Sequence, residues 1–503
     1  MAQLDPEIEA DRLSEEIARR SRRGGTILTV AQIMRMATQM IAVVVLARLL
    51  DPATFGLLAM VASLAIVLDL VRELGLSTAT IQRPGLTDAE VNALFWVNTA
   101  AGSAMGLFIF ACAPLIAAFY HQPQLVEIAR WLALGFALNG LSTQHWALMR
   151  RQMKFGSIAI MEAGGEILGL CLAIGLAIHG VGIWALVTQR LTPVVVTLIG
   201  SWLVCSWRPS RPGGFRDVRD MVLFGLSVSG SSVVNTMARG VDQILIGWMW
   251  GPAALGLYER ASKLLLVPLN NINIPLYTVA LPALSRLAPR EELYRNAIFA
   301  LFERLAMVTM PGAALVAVTG DYVCAILFGQ HWMSAAPIVT CFGVAAISQP
   351  VIIAAGLLYV PQGRPKELFR ASLIDSGICI VSFFVGLPWG AIGVATSFAA
   401  IGLAVRLPLS FWLSTRVGPV RYGELCATVY PALTASVAVA AAVGGLHMLE
   451  NEIAPDSIIG DSAAAIVTAI LVVGATYMLI PRSRRTLLSF VRIAPLAQGT
   501  SKP

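Results

Sequence analysis

Charged residues are scarce in this chain of 503 residues, because Asp, Glu, Lys and Arg together make up only 13% of it. Ordinary globular proteins contain about 25% charged residues. A soluble protein covers its surface with polar groups, so this shortage excludes most soluble fold classes. Hydrophobic residues reach 57%, and the mean hydropathy is +0.74. Both values indicate that the chain lies in a lipid bilayer.

The sequence also lacks the usual signatures of nucleic-acid binding, metal binding and catalysis. The net charge is +7, but no basic surface domain is visible, so we predict no nucleic-acid partner. Seven widely spaced cysteines exclude a disulfide framework and a metal box. The absence of any Gly-Lys pair excludes the phosphate-binding loop of ATPases, and H-E-x-x-H and G-x-S-x-G are absent too. We therefore predict a non-enzyme that needs no metal or cofactor, other than a coupling cation or proton.

Long apolar runs dominate the rest of the sequence. A membrane-spanning helix needs about 20 mostly apolar residues, and about 14 such windows are present. The runs do not alternate in polarity, so they indicate helices rather than barrel strands. We predict an all-α polytopic membrane protein with about 14 transmembrane helices. The predicted spans are residues 25–50, 55–77, 91–119, 125–147, 157–178, 181–205, 221–249, 254–284, 298–320, 334–360, 371–387, 390–413, 425–448 and 462–480.

Lysine and arginine are confined to one side of these spans. Positively charged residues are retained on the cytoplasmic side of a membrane. Those outside the spans all fall in the two tails, residues 1–24 and 481–503, and in the connections on the same side. The connections on the opposite side contain neither lysine nor arginine. Both termini are therefore predicted to be cytoplasmic.

An internal repeat appears when the chain is shifted by 200 residues. Asp51–Leu57 then aligns with Gly251–Leu257, and four of the seven residues are identical. The two segments join the first and second helix of each proposed half. Six helices in each half make the halves parallel repeats. The predicted organisation is an N-terminal lobe at 25–205, a basic cytoplasmic linker at 206–220, a C-terminal lobe at 221–413, and two appended helices at 425–480.

Two pairs of glycines predict close contacts between helices. Gly102 and Gly106, and likewise Gly165 and Gly169, have the four-residue spacing that lets helix backbones approach. In a bundle of this size we expect that spacing to serve packing within the chain rather than dimerisation.

Several short motifs occur in a characteristic order along residues 20–480. They are Leu46-Ala47-Arg48-Leu49-Leu50-Asp51-Pro52 with Phe55-Gly56-Leu57, Leu74-Gly75-Leu76 with Ile81-Gln82-Arg83, Asp242 with Leu245-Ile246-Gly247, and Pro282-Ala283-Leu284-Ser285-Arg286. In these motifs the chain resembles the polysaccharide-transport flippases of the multidrug/oligosaccharidyl-lipid/polysaccharide (MOP) exporter superfamily.

The resemblance implies a fold, a cargo and a location. It implies two six-helix lobes around a central cavity that opens alternately to either side of the bacterial inner membrane. The implied cargo is a polyprenyl-diphosphate-linked saccharide for exopolysaccharide or lipopolysaccharide synthesis. The implied partners are that lipid, the bilayer, and polymerase and export machinery.

Basic residues inside the predicted spans are candidates for cargo binding. An ionisable group at the bilayer centre costs at least about 2.5–3.5 kcal/mol, so it requires a partner or a cavity. Guanidinium groups bind diphosphates bidentately. The alternative is a set of internal ion pairs that hold each lobe together. The candidates for a cationic cavity are Arg35, Arg190, Arg239, Arg260 and Lys263.

Acidic residues inside the spans are candidates for coupling to a cation or proton. Glu162 and Glu166 are one helical turn apart, so their carboxylates share a face. Asp242 and Asp375 complete this set. Coupling needs a carboxylate whose charge is conditional.

Three other functions fit parts of the pattern. A peptidoglycan-precursor flippase of the same fold would carry a similar cationic cavity. A multidrug exporter of that fold would need an acidic cavity instead, and the arginines argue against it. A membrane polysaccharide polymerase or glycosyltransferase would need catalytic groups beneath a substantial outer loop, whereas the longest outer connections, 321–333 and 449–461, are short.

Overall fold

The computed structural model describes residues 6–73, 80, 85–211, 240–453, 458–480 and 483–484. These residues form helices and turns, with no β-strand among them. The all-helical prediction is therefore confirmed. Ten of the helical stretches in this part of the chain are long and apolar enough to cross a membrane. The predicted seventh span, 221–249, lies mostly outside the described residues.

The helices are numbered in chain order. In the first part they are α1 (Pro6–Leu49), α2 (Pro52–Glu73), α3 (Asp88–Tyr120), α4 (Leu125–Arg151), α5 (Phe155–Ile178), α6 (Ile183–Val204) and α7 (Val241–Leu287). They continue with α8 (Glu291–Val318), α9 (Gly320–Leu327), α10 (Ala336–Ala354), α11 (Pro365–Gly386), α12 (Gly390–Ile401), α13 (Leu407–Thr415), α14 (Tyr422–Ile453) and α15 (Ile458–Leu479). A π-helical turn, Gly402–Arg406, joins α12 to α13.

The chain divides into two compact units, residues 1–260 and 261–503. In the first unit, α3 packs on α4 and α5 packs on both α1 and α6. Glycines bring these helices close together. A Cβ atom at Gly102 of α3 would lie 2.9 Å from the Cα atom of Gly140 in α4, and one at Gly165 of α5 would lie 3.0 Å from the Cα atom of Pro193 in α6. The packing role predicted for the glycine pairs is confirmed.

The second unit has a core formed chiefly by α8, α10 and α14. Tyr294 is fully buried in it, and its hydroxyl donates to the carbonyl oxygen of Leu357 over 3.2 Å. The rings of Phe302 and Phe411 meet edge to face at 6.2 Å. The hydrogen bond satisfies the Tyr294 hydroxyl in this apolar core, and the ring contacts fix α8 against its neighbours.

The two segments that the repeat aligns contact each other in the first unit. A Cβ atom on Gly56 would overlap the carbonyl oxygen of Pro252, and one on Gly256 would overlap the carbonyl oxygen of Pro52. Pro52 begins α2, and Pro252 follows Gly251, where α7 bends at φ 78°. Only glycine, which has no Cβ, permits this approach. We call Pro52, Gly56, Pro252 and Gly256 the Gly–Pro crossing.

Candidate functional site

Four of the predicted site residues come together in the first unit. Arg35 on α1 faces Glu162 on α5, with 3.4 Å between the guanidinium Nη1 and the carboxylate Oε2. Glu166, one turn further along α5, lies within electrostatic reach of Arg35, Arg190 and Glu162. We call Arg35, Glu162, Glu166 and Arg190 the charged cluster. The sequence predicts two separate roles for these four residues, and the structure places them in one cluster.

The packing of three helices positions the charged cluster. α5 carries both glutamates four residues apart and packs between α1 and α6, which carry the arginines. Gly165 and Gly169 allow α6 to approach α5 at Pro193 and Gln189. This approach brings Arg190 near Glu166.

Partial exposure and charge distinguish the cluster from a buried structural pair. The Arg35 and Glu162 side chains are 32% and 27% exposed, and Arg190 is exposed. Gln32, one turn before Arg35, accepts a hydrogen bond from the Arg35 guanidinium. Two positive and two negative groups compensate each other when all are ionised. An anion that reaches the arginines would compete with the glutamates for them.

Arg260 has a different setting from the charged cluster. Its guanidinium carbon lies 3.7 Å from the ring centroid of Phe55, and its Nε lies 3.4 Å from a carboxylate oxygen of Glu259. Both charged side chains are only 7% exposed. Because Phe55 and Gly56 are neighbours, this stack lies at the Gly–Pro crossing. The burial favours a structural role for Arg260 in the conformation described.

Asp242 is held by hydrogen bonds at the start of α7. Its Oδ2 accepts from the hydroxyl of Tyr258, and its Oδ1 accepts from the backbone N–H of Gln243, both over 2.8 Å. Tyr258 is 1% exposed, so the bond lies in a packed region. Arg239, a predicted neighbour of Asp242, lies outside the described residues.

The second unit contains the two remaining predicted residues. Lys263 is exposed on α7, one turn beyond Arg260. Asp375 of α11 accepts two hydrogen bonds of 2.8 Å from Nε and Nη2 of Arg406 in the π-helical turn. Phe398 covers the same guanidinium at 5.2 Å. Asp375 is therefore engaged in a bidentate ion pair.

Replacing Asp375 by Asn should destabilise the second unit. The Arg406 side chain is only 7% exposed and would lose its compensating charge. Removing one partner of a buried pair costs about 3–5 kcal/mol, and the 35% exposure of Asp375 reduces the expected loss to about 2 kcal/mol. The measurement is the free energy of unfolding in detergent micelles.

Glu424→Gln is the matched control for that variant. The Arg295–Glu424 pair has a distance of 2.6 Å but is 29% and 37% exposed, so its loss should cost less than about 1 kcal/mol. Equal effects of the two substitutions would contradict a special role for the Asp375–Arg406 pair.

A buried polar network in the first unit has no signal in the sequence. Asn98 on α3 donates to Gln144 on α4, which donates in turn to Thr80. Arg151 donates to the backbone carbonyl of Thr80 over 2.8 Å. These residues lie up to 71 positions apart and share no motif, so no local pattern signals them.

Among the residues that the structure describes, no group of three or more His, Cys, Asp or Glu could hold a metal ion.

Two curated relatives are similar to most of this chain. The teichuronic acid biosynthesis protein TuaB of Bacillus subtilis (strain 168) is 26% identical over 352 residues, which cover 69% of this chain and 72% of TuaB. The lipopolysaccharide biosynthesis protein WzxC of Escherichia coli (strain K12) is 22% identical over 387 residues, covering 76% and 78%. Both relatives are biosynthesis proteins by name, in agreement with the polysaccharide family that the motifs resemble.

This chain is also similar to a solved structure and to a protein-family profile. The lipid II flippase MurJ, in an inward closed conformation, superposes with a TM-score of 0.72 at 11% identity, covering 92% of this chain and 99% of MurJ. This likeness shows the fold. The profile of polysaccharide biosynthesis proteins matches residues 45–337, which is more than half of the chain. The chain therefore belongs to the family of polysaccharide biosynthesis proteins.

Proposed function

We propose that this membrane protein is a flippase that carries a polyprenyl-diphosphate-linked saccharide across the bacterial inner membrane by alternating access. Its product would serve exopolysaccharide or lipopolysaccharide synthesis, with polymerase and export machinery as partners. The charged cluster is the observation that carries the proposal, because it presents two arginines on helices of membrane-spanning length. The similarity to WzxC, a lipopolysaccharide biosynthesis protein, supports the same cargo class.

The charged cluster has the chemistry needed to bind a diphosphate reversibly. A diphosphate carries several negative charges, and guanidinium groups bind it through charge-assisted hydrogen bonds. When it binds Arg35 and Arg190, it displaces Glu162 from Arg35 and removes the charge compensation that the arginines give Glu166. A displaced carboxylate in a membrane takes up a proton or a cation, since its isolated charge is costly there. Cargo binding would thereby be coupled to an ion.

The proposed topology follows the distribution of charge along the chain. It has about 14 spans in two six-helix halves and an appended pair, with both termini in the cytoplasm. The two halves would open alternately to either side of the membrane. Lys263 and Arg239 are the further candidates for cargo contact, and Asp242 and Asp375 for ion coupling.

Transfer of a labelled lipid across vesicle membranes tests the proposed function. The purified full-length protein is reconstituted into phospholipid vesicles with a fluorescent polyprenyl-diphosphate saccharide in both leaflets. A membrane-impermeant quencher then reports how fast the inner pool becomes accessible. We expect faster transfer than in protein-free vesicles, with no change in glycan length. Lengthened glycan without transfer would instead identify a polymerase.

A phospholipid with the same fluorophore is the control cargo. It lacks the diphosphate and should not be accelerated. Equal acceleration of both lipids would contradict a specific flippase and indicate general perturbation of the bilayer.

A further inference from the structure

An apolar groove of about 580 Å³ lies between α1 and α5. Small residues of both helices form its floor, and larger apolar residues form its walls. Ala31 and Ala163 are buried in the floor, whereas Met34, Ile160 and Ile167 are 43%, 74% and 40% exposed beside it. Its volume is within the range of about 300–1,000 Å³ that small-molecule sites have.

Gly164 keeps the middle of the groove open. A Cβ atom built on Gly164 meets no atom within 4 Å apart from the adjoining backbone of α5. Gly164 therefore differs from the adjacent Gly165, whose Cβ would meet Pro193 of α6 at 3.0 Å. Packing explains the glycine at 165 but gives no reason for the glycine at 164. An unoccupied volume over a small residue suits a bulky, branched apolar ligand.

The groove and the charged cluster are adjacent. Ala31 lines the groove one helical turn before Arg35, and Ala159 lines it three residues before Glu162, so each pair lies on one face of its helix. The two helices that the Arg35–Glu162 pair joins are thus the two that form the groove. On α5 the groove extends from Gly156 to Ile167, about 17 Å at the helical rise per residue.

We propose that this groove binds the isoprenoid tail of the cargo lipid while the charged cluster holds its diphosphate. The inference rests on the proposed function and specifies how the cargo lies. An amphiphile with an anionic head and a branched apolar tail matches a site with guanidinium groups beside an apolar groove. The small residues of the floor leave room for the methyl branches of an isoprenoid chain.

Binding of the head group explains why the tail would occupy the groove rather than the bilayer. Lipid chains are as apolar as the side chains of the groove, so transfer from one to the other gives little hydrophobic gain. A diphosphate bound at Arg35 holds its own tail at a high effective concentration beside the groove. The groove then orients the lipid rather than supplying most of its affinity.

Photo-crosslinking tests this assignment without requiring transport. The probe is farnesyl diphosphate with a terminal benzophenone, added to the full-length protein in vesicles of phosphatidylethanolamine and phosphatidylglycerol. Mass spectrometry maps the labelled residues. We expect labels within 27–34 and 156–167. Labels confined to other segments would overturn the inference.

Gly164→Phe fills the groove, and Gly175→Phe is its matched control. Gly175 lies on the same helix, also has no atom within 4 Å of a built Cβ, and does not line the groove. One methylene in an apolar pocket changes selectivity by about 10–200-fold, so a benzyl group should reduce groove labelling at least about tenfold. Gly175→Phe should be labelled like the wild type. Equal labelling of Gly164→Phe and wild type would overturn the inference.

Two further measurements distinguish binding of the isoprenoid tail from misfolding of the variant and from binding of bilayer lipid. Thermal unfolding of Gly164→Phe should match that of Gly175→Phe, so that lost labelling reports occupancy rather than misfolding. If Gly164→Phe is itself misfolded, Ile160→Trp supplies the same obstruction from the exposed wall. A benzophenone phospholipid should label the groove at least about tenfold less than the isoprenoid probe, and equal labelling would assign the groove to bilayer lipid and overturn the inference.

The outcome is distinguishable from that of the proposed function. Transfer of the lipid-linked saccharide without labels in the groove would overturn the tail site alone. Labels in the groove without transfer would support the tail site and contradict the flippase.

Discussion

Gly56→Val is expected to destabilise the protein severely and to abolish the proposed lipid-linked saccharide transfer. Even a Cβ atom at this position would overlap the carbonyl oxygen of Pro252, which belongs to the backbone and cannot rotate away. The start of α2 and the bend of α7 would therefore have to separate. Overpacking costs about 1–3 kcal/mol and sometimes more, and we expect at least about 3 kcal/mol because two backbones must move. Denaturant unfolding in detergent micelles measures the loss.

Gly175→Val is the control for the glycine substitution itself. It introduces the same β-branched residue into a helix but meets no atom within 4 Å, so its effect should stay below about 1 kcal/mol. Gly256→Val should resemble Gly56→Val, because its Cβ would overlap the carbonyl oxygen of Pro52. If Gly56→Val were as stable as Gly175→Val, the close approach at the Gly–Pro crossing would be refuted.

Arg35→Ala should reduce lipid-linked saccharide transfer at least about tenfold and remove surface polysaccharide at normal protein level. Hydrogen bonds to charged groups contribute about 1.5–3 kcal/mol each, and Arg35 offers a bidentate pair of donors to a diphosphate. Arg190→Ala should act in the same direction. Arg130→Ala is the control, since Arg130 lies on α4 against the ring of Phe110, at 5.0 Å, outside the charged cluster. The vesicle transfer rate measures the difference.

A double variant separates cargo binding from structural ion pairing. Arg35→Ala leaves Glu162 without its partner at 3.4 Å, so part of any loss could come from an uncompensated carboxylate. Arg35→Ala combined with Glu162→Gln removes both charges and should recover the lost stability. If transport also recovered in the double variant, Arg35 would serve only to hold α1 against α5, and the cargo role would be wrong.

Local patterns in the sequence predict the helices well because membrane insertion imposes a strong local requirement. The predicted spans 91–119 and 157–178 lie within α3 and α5, since about 20 apolar residues are needed in one continuous segment. The shared face of Glu162 and Glu166 likewise follows from a four-residue spacing. The glycine pair at 102 and 106 predicts close packing for the same kind of reason.

Contacts between distant segments could not be predicted in this way. Arg260 looks like a cargo ligand in the sequence, but its partner Phe55 is about 200 residues away and buries it. Arg406, which pairs with Asp375, lies in a π-helical turn that no residue pattern in the sequence predicts. The meeting of Arg35 with Glu162 across 127 positions is similarly invisible until α1 packs on α5. Side-chain chemistry identifies candidates, and tertiary packing decides which of them share a site.

The reciprocal contact at the Gly–Pro crossing also constrains how the sequence can change over evolutionary time. Each glycine lacks the Cβ atom that would overlap the proline carbonyl of the other segment. A larger residue in one segment would require the backbone of the other to move, so neither segment can change independently. The segments around Gly56 and Gly256 should therefore change together during evolution. Both segments should keep glycine at these two positions even where the residues around them vary.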